Sequence, residues 1–306
     1  MIFILDNSLI ESNLYLRDLA KFLLLACEKM QKVKCSTSLF AYLENKVLTI
    51  DYLGKQDIEL ILSNEALFDI SNVYQECFTS IHVGTAPNMV TIHVAMKILQ
   101  NNSRIVLENA SNDWPTIKKW VEFFDNKIKT KHKTVNSFVH RAIEEKWLVQ
   151  EHAGGGAGTI AIRLKSLADE AYTGIDKYKL TTVFDSDKSC YDEANGKNDS
   201  LRKYLIDNNI KGHELVKREI ENYYSWEAYT QANKTTTSIP PTDNNDVYDY
   251  LDIEACKTIN LHKRDMADMA AYMNPKRLIK RIQNNMGLFD GEYEIQKIIL
   301  MFAKVI

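Results

Sequence analysis

The spacing of apolar and polar positions changes character near residue 103 of this 306-residue chain. Before that point the rhythm is helical: in "ESNLYLRDLAKFLLLACEKMQK" (11–32) Leu14, Leu16, Leu19, Phe22, Leu23 and Ala26 recur near the helical period. "KQDIELILSNEALFDISNVYQECF" (55–78) behaves similarly, whereas "KVLTIDYL" (46–53) alternates like a short strand. Residues 1–102 are therefore expected to form a mainly helical N-terminal region. "TSIHVG" and "VTIHVA" echo each other, but one echo of four residues does not make a repeat.

From residue 103 short apolar strands alternate with amphipathic helices. "SRIVLEN" (103–109), "EKWLVQEHAGGGAG" (145–158), "YKLTTVFDSD" (178–187) and the start of "HELVKREIENYY" (213–224) read as strands. Between them "DWPTIKKWVEFFDNK" (113–127), "TIAIRLKSLADEAY" (159–172) and "NDSLRKYLIDNN" (198–209) read as helices, the first with Asp113 near its start and Pro115 in its first turn. This order predicts an α/β fold with a parallel sheet and helices on both faces, spanning 103–230. A basic segment and helix at about 127–147 is an insertion in it. After it, "NKTTTSIPPTDNNDVYD" (233–249) reads as a loop, and a helical C-terminal region including "NPKRLIKRIQNN" (274–285) completes 231–306.

Charge narrows the partners. With 38 Lys and Arg against 41 Asp and Glu the formal net charge is −3, so no global positive field draws in a polyanion and any such partner must meet a local basic patch. "MIFILDNSLI" lacks the basic start and long apolar stretch of a signal peptide, and no run reaches the ~20 apolar residues of a spanning helix, so a cytoplasmic protein without a membrane partner is expected. The five cysteines contain no CxxC pair and are read as reduced thiols.

Side chains at the carboxyl ends of parallel strands converge where such folds bind ligands, and here they are acidic. Glu108 closes the first strand, Glu151 lies near the end of the second, and Asp185 and Asp187 close the third. Positions i and i+2 of a strand face the same way, which lets Asp185 and Asp187 address one ion. Their oxygens suit Mg²⁺ or Mn²⁺, with Asp113 or Glu151 assisting. Alternatively "DSD" begins a helix, since Asp and Ser favour helix starts. "GGGAGT" lacks the GK[ST] ending of a P-loop and reads as a flexible turn. His152 is a general acid, a ligand or a structural residue. Tyr223, Tyr224, Trp226 and Tyr229 read as core packing rather than as base-stacking groups. Lys127, Lys129, Lys131, Lys133 and Arg141 form one basic group, and Lys276, Arg277, Lys280 and Arg281 another with i,i+4 spacing; each is a phosphate-tracking surface or a solvated face.

The ordered set of Glu108 in "IVLEN", Gly154, Gly155 and Gly156 after the second strand, and Asp185 and Asp187 in "VFDSD" resembles the toprim domain, shared by topoisomerases, bacterial primases and the OLD-family nucleases. The resemblance covers roughly 103–225. It departs at Asn112, where OLD-like nucleases tend to have an acid that is here displaced to Asp113, and at Lys188, where a further acid often follows the D-x-D. "HELVKREIENYY" is similar to a phrase in toprim effectors of anti-phage systems, which act beside an ATPase sensor in PARIS-type systems or a reverse transcriptase in some retrons. The resemblance implies a Mg²⁺- or Mn²⁺-dependent nuclease acting on DNA or RNA, tRNA included. Glu108, Asp185 and Asp187 would be its central acids, Lys217 or Arg218 would hold the scissile phosphate, and the partner would be an ATPase or reverse transcriptase, with a homo-oligomer also compatible. Lys217 and Glu221 alternatively form an ordinary i,i+4 helix pair. A different class of reading is a non-catalytic module that docks a partner.

Overall fold

In the computed structural model, which describes residues 1–10, 15–49, 54, 56, 76–194, 196–237, 239–240, 245–261, 265–283 and 292–306, two parallel sheets carry the fold. The first was not anticipated. Three short strands, β1 (Ile2–Leu5), β2 (Lys32–Lys34) and β3 (Ser80–Val83), pair in the order β2-β1-β3 within the region expected to be mainly helical. Helix α1 (Leu16–Glu28) joins the first two and buries Leu19, Phe22, Leu23 and Ala26, the stripe read from the sequence. Helix α2 (Ile92–Gln100) follows β3, with the Thr91 side chain accepting the Val94 N–H at its start. The expected strand at 46–53 begins instead inside a helical turn, Leu43–Val47; its residues 50–53, like most of 55–78, lie outside the described residues.

The second sheet follows the expected order. Strands β4 (Ser103–Leu107), β5 (Leu148–His152), β6 (Leu180–Phe184) and β7 (Lys211–Glu214) are all parallel and lie as β5-β4-β6-β7. Alternation divides their side chains between two cores. Ile105, Leu107 and Val183 face α3 (Ala110–Asn126), α4 (Lys133–Glu144) and the C-terminal helix, while Val106, Leu180 and Phe184 face α5 (Ala157–Glu170), α6 (Asp199–Asp207) and the core of the first sheet. Gly212 in β7 is a steric requirement: a Cβ there would stand 2.5 Å from Leu205 of α6 and 3.0 Å from Thr182 of β6.

The flanks share these cores. Beyond 230 the chain adds α7 (Pro275–Gln283) and α8 (Glu294–Ala303), and α8 packs Ile295, Ile298, Ile299 and Phe302 into the core that holds α3 and α4. The core residues on that side run from Ile2 to Ile306, so the boundaries expected near 102 and 230 are not boundaries of packing. Thr79 and Ser103 donate their hydroxyls to the Lys304 and Val305 carbonyls, at 2.7 and 2.5 Å, which fastens the chain end across both sheets.

A buried polar knot ties the segment after β7 to the C-terminal helices. Lys217, fully enclosed, places Nζ 2.5 Å from Asp249 Oδ1 and 5.5 Å from the centre of the Tyr223 ring. Arg281 reaches the same carboxylate oxygen, donates to the Asn222 carbonyl at 2.7 Å and lies 4.3 Å over the Tyr248 ring. Burial, then the Arg281 charge, pushes the Lys217 ammonium down to about 8 although Asp249 pulls the other way. Nearby Glu294 accepts from His213, the Tyr223 hydroxyl and the Val216 N–H; burial opposes its charge, but these donors hold it below the ordinary range. Lys217 is thus a structural cation that cannot meet a phosphate, and it is partnered by Asp249 rather than by Glu221. Arg281 likewise leaves the exposed basic group of α7.

Asp249→Ala removes the anion between two buried cations. It is expected to lower stability by about 3–5 kcal/mol, the cost of breaking a buried pair and leaving its partner charged, measured as the shift in urea unfolding midpoint at constant slope.

Candidate functional site

The strand order places a topological switch between β4 and β6: the chain leaves β4 for β5 on one side and returns to β6 on the other. Glu108 follows β4 and Asp185 follows β6, so both acids leave the sheet at the carboxyl edge of that switch. The Arg104, Ile105 and Val106 register on Leu180, Thr181 and Thr182, continued along the strands, sets Glu108 level with Phe184, the residue before Asp185. Asp113, in the first turn of α3, accepts the Asn109 N–H at 3.2 Å and folds back toward the same edge. The glycine turn covers the other side: Gly154 needs its φ of +82°, and a Cβ on Gly156, which precedes α5, would stand 3.8 Å from Glu108 Oε2.

The loop after β7 supplies two more acids, Glu219 and Glu221. Its Ile220 N–H donates to Asp185 Oδ1 at 3.2 Å, and Arg218 offers its carbonyl to the N–H groups of Ser186 and Asp187, both at 3.0 Å. The sequence offers Glu221 only as the partner of Lys217 in an alternative helix pair and gives Glu219 no role. The available signal was an E-x-E just past the fourth strand.

Electrostatics marks these acids as one group. Asp185 is half-buried; burial first, then the charges of Glu221, Asp113, Glu108 and Glu219, raise its carboxyl well above the ordinary range. Burial, then Glu219 and Asp113, pushes Glu221 up to about 8. Burial also raises Glu219, against the opposing pull of Arg218. Carboxylates crowded this way suppress one another's ionisation, which adds to the effect of burial at Asp185 and Glu221.

The "DSD" stretch is neither the alternating strand pair nor the helix start expected. Strand β6 ends at Phe184, and Asp187 turns the chain with φ +54°. Same-side alternation therefore fails: Asp187 pairs with Lys197 at 3.6 Å, and Ser186 is buried with its hydroxyl on the Lys217 carbonyl at 2.8 Å. Asp187 remains near enough to Glu219 to raise its pKa. Glu151 leaves the site altogether. It lies between Arg104 and Arg163, with Arg163 Nη2 at 2.6 Å, and against the pull of burial these guanidiniums hold it below the ordinary range. His152 accepts the Ala110 N–H on Nδ1 at 3.2 Å, at the entry of α3 beside the site.

No family model matches the chain, and no curated protein or solved structure does.

The basic residues divide by position. Helix α3 carries the chain about 25 Å from the acidic edge over its 17 residues before Lys129, Lys131, Lys133 and Arg141 follow. Lys131 pairs with Glu292 and Lys133 with Asp125, at 2.6 and 2.5 Å. These lysines therefore flank the acids in sequence and not in space. Arg218 is engaged by Glu219, Asp252 and the Lys188 carbonyl. Lys276 and Lys280 are exposed on α7, and Arg277 lies beside Glu227 at 3.9 Å; α7 packs on the Ile220–Tyr223 turn next to the site.

What this edge offers is hard oxygen donors with raised proton affinity, a donor set that fits Mg²⁺ or Mn²⁺, since a divalent cation relieves the repulsion a proton otherwise relieves. Glu108, Asp113 and Asp185 would hold it, with Glu221 behind. Among the described residues, no three Asp, Glu, His or Cys side chains stand close enough to hold an ion as placed.

The sign of the pH effect follows from the raised values. Glu221 goes from its ordinary 4.5 to about 8 in the fold, so between those limits the folded chain binds more protons and stability falls as pH rises. In chelator, the thermal midpoint is expected to fall from about pH 5 to about pH 8, and Glu221→Gln to flatten that slope; calorimetric melts of both proteins check it.

Proposed function

We propose that the chain is a metal-dependent nuclease that hydrolyses phosphodiester bonds of DNA or RNA. The observation that carries this reading is Asp185 at the switch point, its carboxyl raised by burial and then by the charges of Glu221, Asp113, Glu108 and Glu219. A Mg²⁺ or Mn²⁺ ion bound there would supply Lewis acidity toward a phosphate oxygen and a water of lowered pKa. The chain's own part is to orient and to shield. The Ile220 N–H fixes one oxygen of Asp185, and the closed loop after β7 keeps Glu221 out of bulk water. Lys276 and Lys280, exposed on the helix packed against that loop, would take neighbouring backbone phosphates.

The toprim resemblance extends the proposal to a cytoplasmic effector of anti-phage defence working beside an ATPase sensor or a reverse transcriptase. No described helix is long and apolar enough to cross a membrane. A second reading is a non-catalytic module that docks a partner, in which the acids only organise the fold.

Cleavage of plasmid, single-stranded DNA and tRNA with Mg²⁺ or Mn²⁺ separates the two. Glu108→Ala and Asp185→Ala are each expected to lower cutting by more than the about 10–100-fold that losing an outer partner of a metal site costs. Parent-level cutting by both would exclude the nuclease assignment. Absence of Mn²⁺ binding in calorimetry, with Asp185→Asn unchanged in stability, would favour the docking module.

A further inference from the structure

Three segments remote from the acidic edge in sequence meet at one thiol. Cys77, just before β3, is buried at 5% exposure, and its Sγ lies 3.7 Å from His132 Nδ1, in the turn before α4. The other ring nitrogen, Nε2, lies 3.3 Å from Glu292 Oε1, just ahead of α8. Lys131 Nζ lies 2.6 Å from that same oxygen. Thiol and carboxylate thus meet opposite nitrogens of the imidazole, so the three groups cannot converge on a shared metal ion and instead form a line. An ionised carboxylate only accepts, which puts the ring hydrogen on Nε2 and leaves Nδ1 to accept from the thiol. This is the order of nucleophile, base and orienting acid that activates a thiol or hydroxyl.

We propose that Cys77, His132 and Glu292 form a peroxide-reactive thiol site, at which Cys77 is converted to a sulfenic acid. Burial selects the reagent. At 5% exposure the sulfur is closed to peptides, nucleotides and bulky electrophiles, whereas hydrogen peroxide is little larger than water. Burial also pushes the thiol up, with Lys304 and Lys131 pulling it down and Glu76 and Glu292 adding to the rise, so the site needs its own proton acceptor. His132 supplies it. The S–H proton passes to Nδ1, the sulfur attacks one peroxide oxygen as the O–O bond breaks, and the departing hydroxide takes the proton to leave as water. Sulfur loses two electrons and peroxide gains them. Glu292 holds the ring through Nε2–H and stabilises the imidazolium formed on the way, a positioning role.

The exposed Cys190 provides a reference thiol in the same molecule. The intact chain is pulsed with hydrogen peroxide at neutral pH, the peroxide is destroyed with catalase, and the chain is then unfolded in denaturant containing dimedone, so that the adduct at each cysteine, followed by peptide mass spectrometry, reports oxidation during the pulse and not access of the label. Cys77 is expected to be labelled at least about tenfold faster than Cys190, and His132→Gln to slow Cys77 by about tenfold or more without changing Cys190. Glu292→Gln, which keeps shape and hydrogen-bonding capacity at a partly exposed position, is expected to slow Cys77 as well while melting like the parent. Labelling of Cys77 no faster than Cys190 overturns the proposal, and so does a parent-level rate in either variant.

Discussion

The carboxylate of Asp249 holds two buried cations, and the placement of the acidic edge depends on it. Taking Lys217 and Arg281 out of water costs several kcal/mol each unless an anion and further acceptors replace the solvent. Asp249 supplies the anion, the Asn222 carbonyl accepts from Arg281, and the Tyr248 and Tyr223 rings lie against the two cations. These partners come from the loop after β7 and from two C-terminal segments. The ion knot therefore ties that loop to the C-terminal segments, including the carbonyls of Lys217 and Arg218 that receive Ser186 and Asp187. A connection more than sixty residues long in sequence, 217 to 281, sets where the third strand's acids stand.

Most of the second sheet was legible because its two central strands, β4 and β6, are buried on both faces and carry their own punctuation. "RIVL" and "TTVF" are short buried runs, and the helices between them alternate at the helical period, so order and layers followed directly. The first sheet was not legible for the opposite reason. "KVK" offers one apolar position to a three-residue strand, and "SIHV" registered only as an echo of "TIHV". Strands this short are defined by their partners, and pairing partners far apart in sequence leave no local periodicity. Lys217 failed differently. A lysine beside acids reads as a phosphate ligand or a helix pair, and only the positions of Asp249 and Arg281 reveal that it points inward.

The alternation rule also has a boundary that this chain makes visible. Asp185 and Asp187 would share a face if β6 continued, but regular backbone ends at Phe184, and the left-handed turn at Asp187 redirects the second acid to Lys197. The residue types at "DSD" were informative, while their spacing was informative only on the assumption of a strand. Ser186 settles the matter physically. Its buried hydroxyl and N–H are both spent on the Lys217–Arg218 backbone, so the turn cannot flatten into a strand without stranding polar groups.

With Asp187 turned aside, Asp185 becomes the joint between two sets of acids. Glu108 and Asp113 reach it from the first strand and its helix, and Glu219 and Glu221 from the loop beyond the fourth; all four raise its proton affinity. The nearest main-chain donor, Ile220 N–H, belongs to the second set, so the carboxylate is anchored on one side while it is repelled from both. A group held in place and short of counter-charge has a strong electrostatic preference for a cation over an anion, and it expresses that preference at the open edge of the switch point. The distant lysines at the far end of α3 cannot satisfy it across about 25 Å, which is several Debye lengths at moderate salt only where solvent intervenes. On the proposed nuclease reading the acids and the basic surfaces would therefore act on a polyanion separately, the basic side chains by attraction along its length and the acids only through a cation held between them.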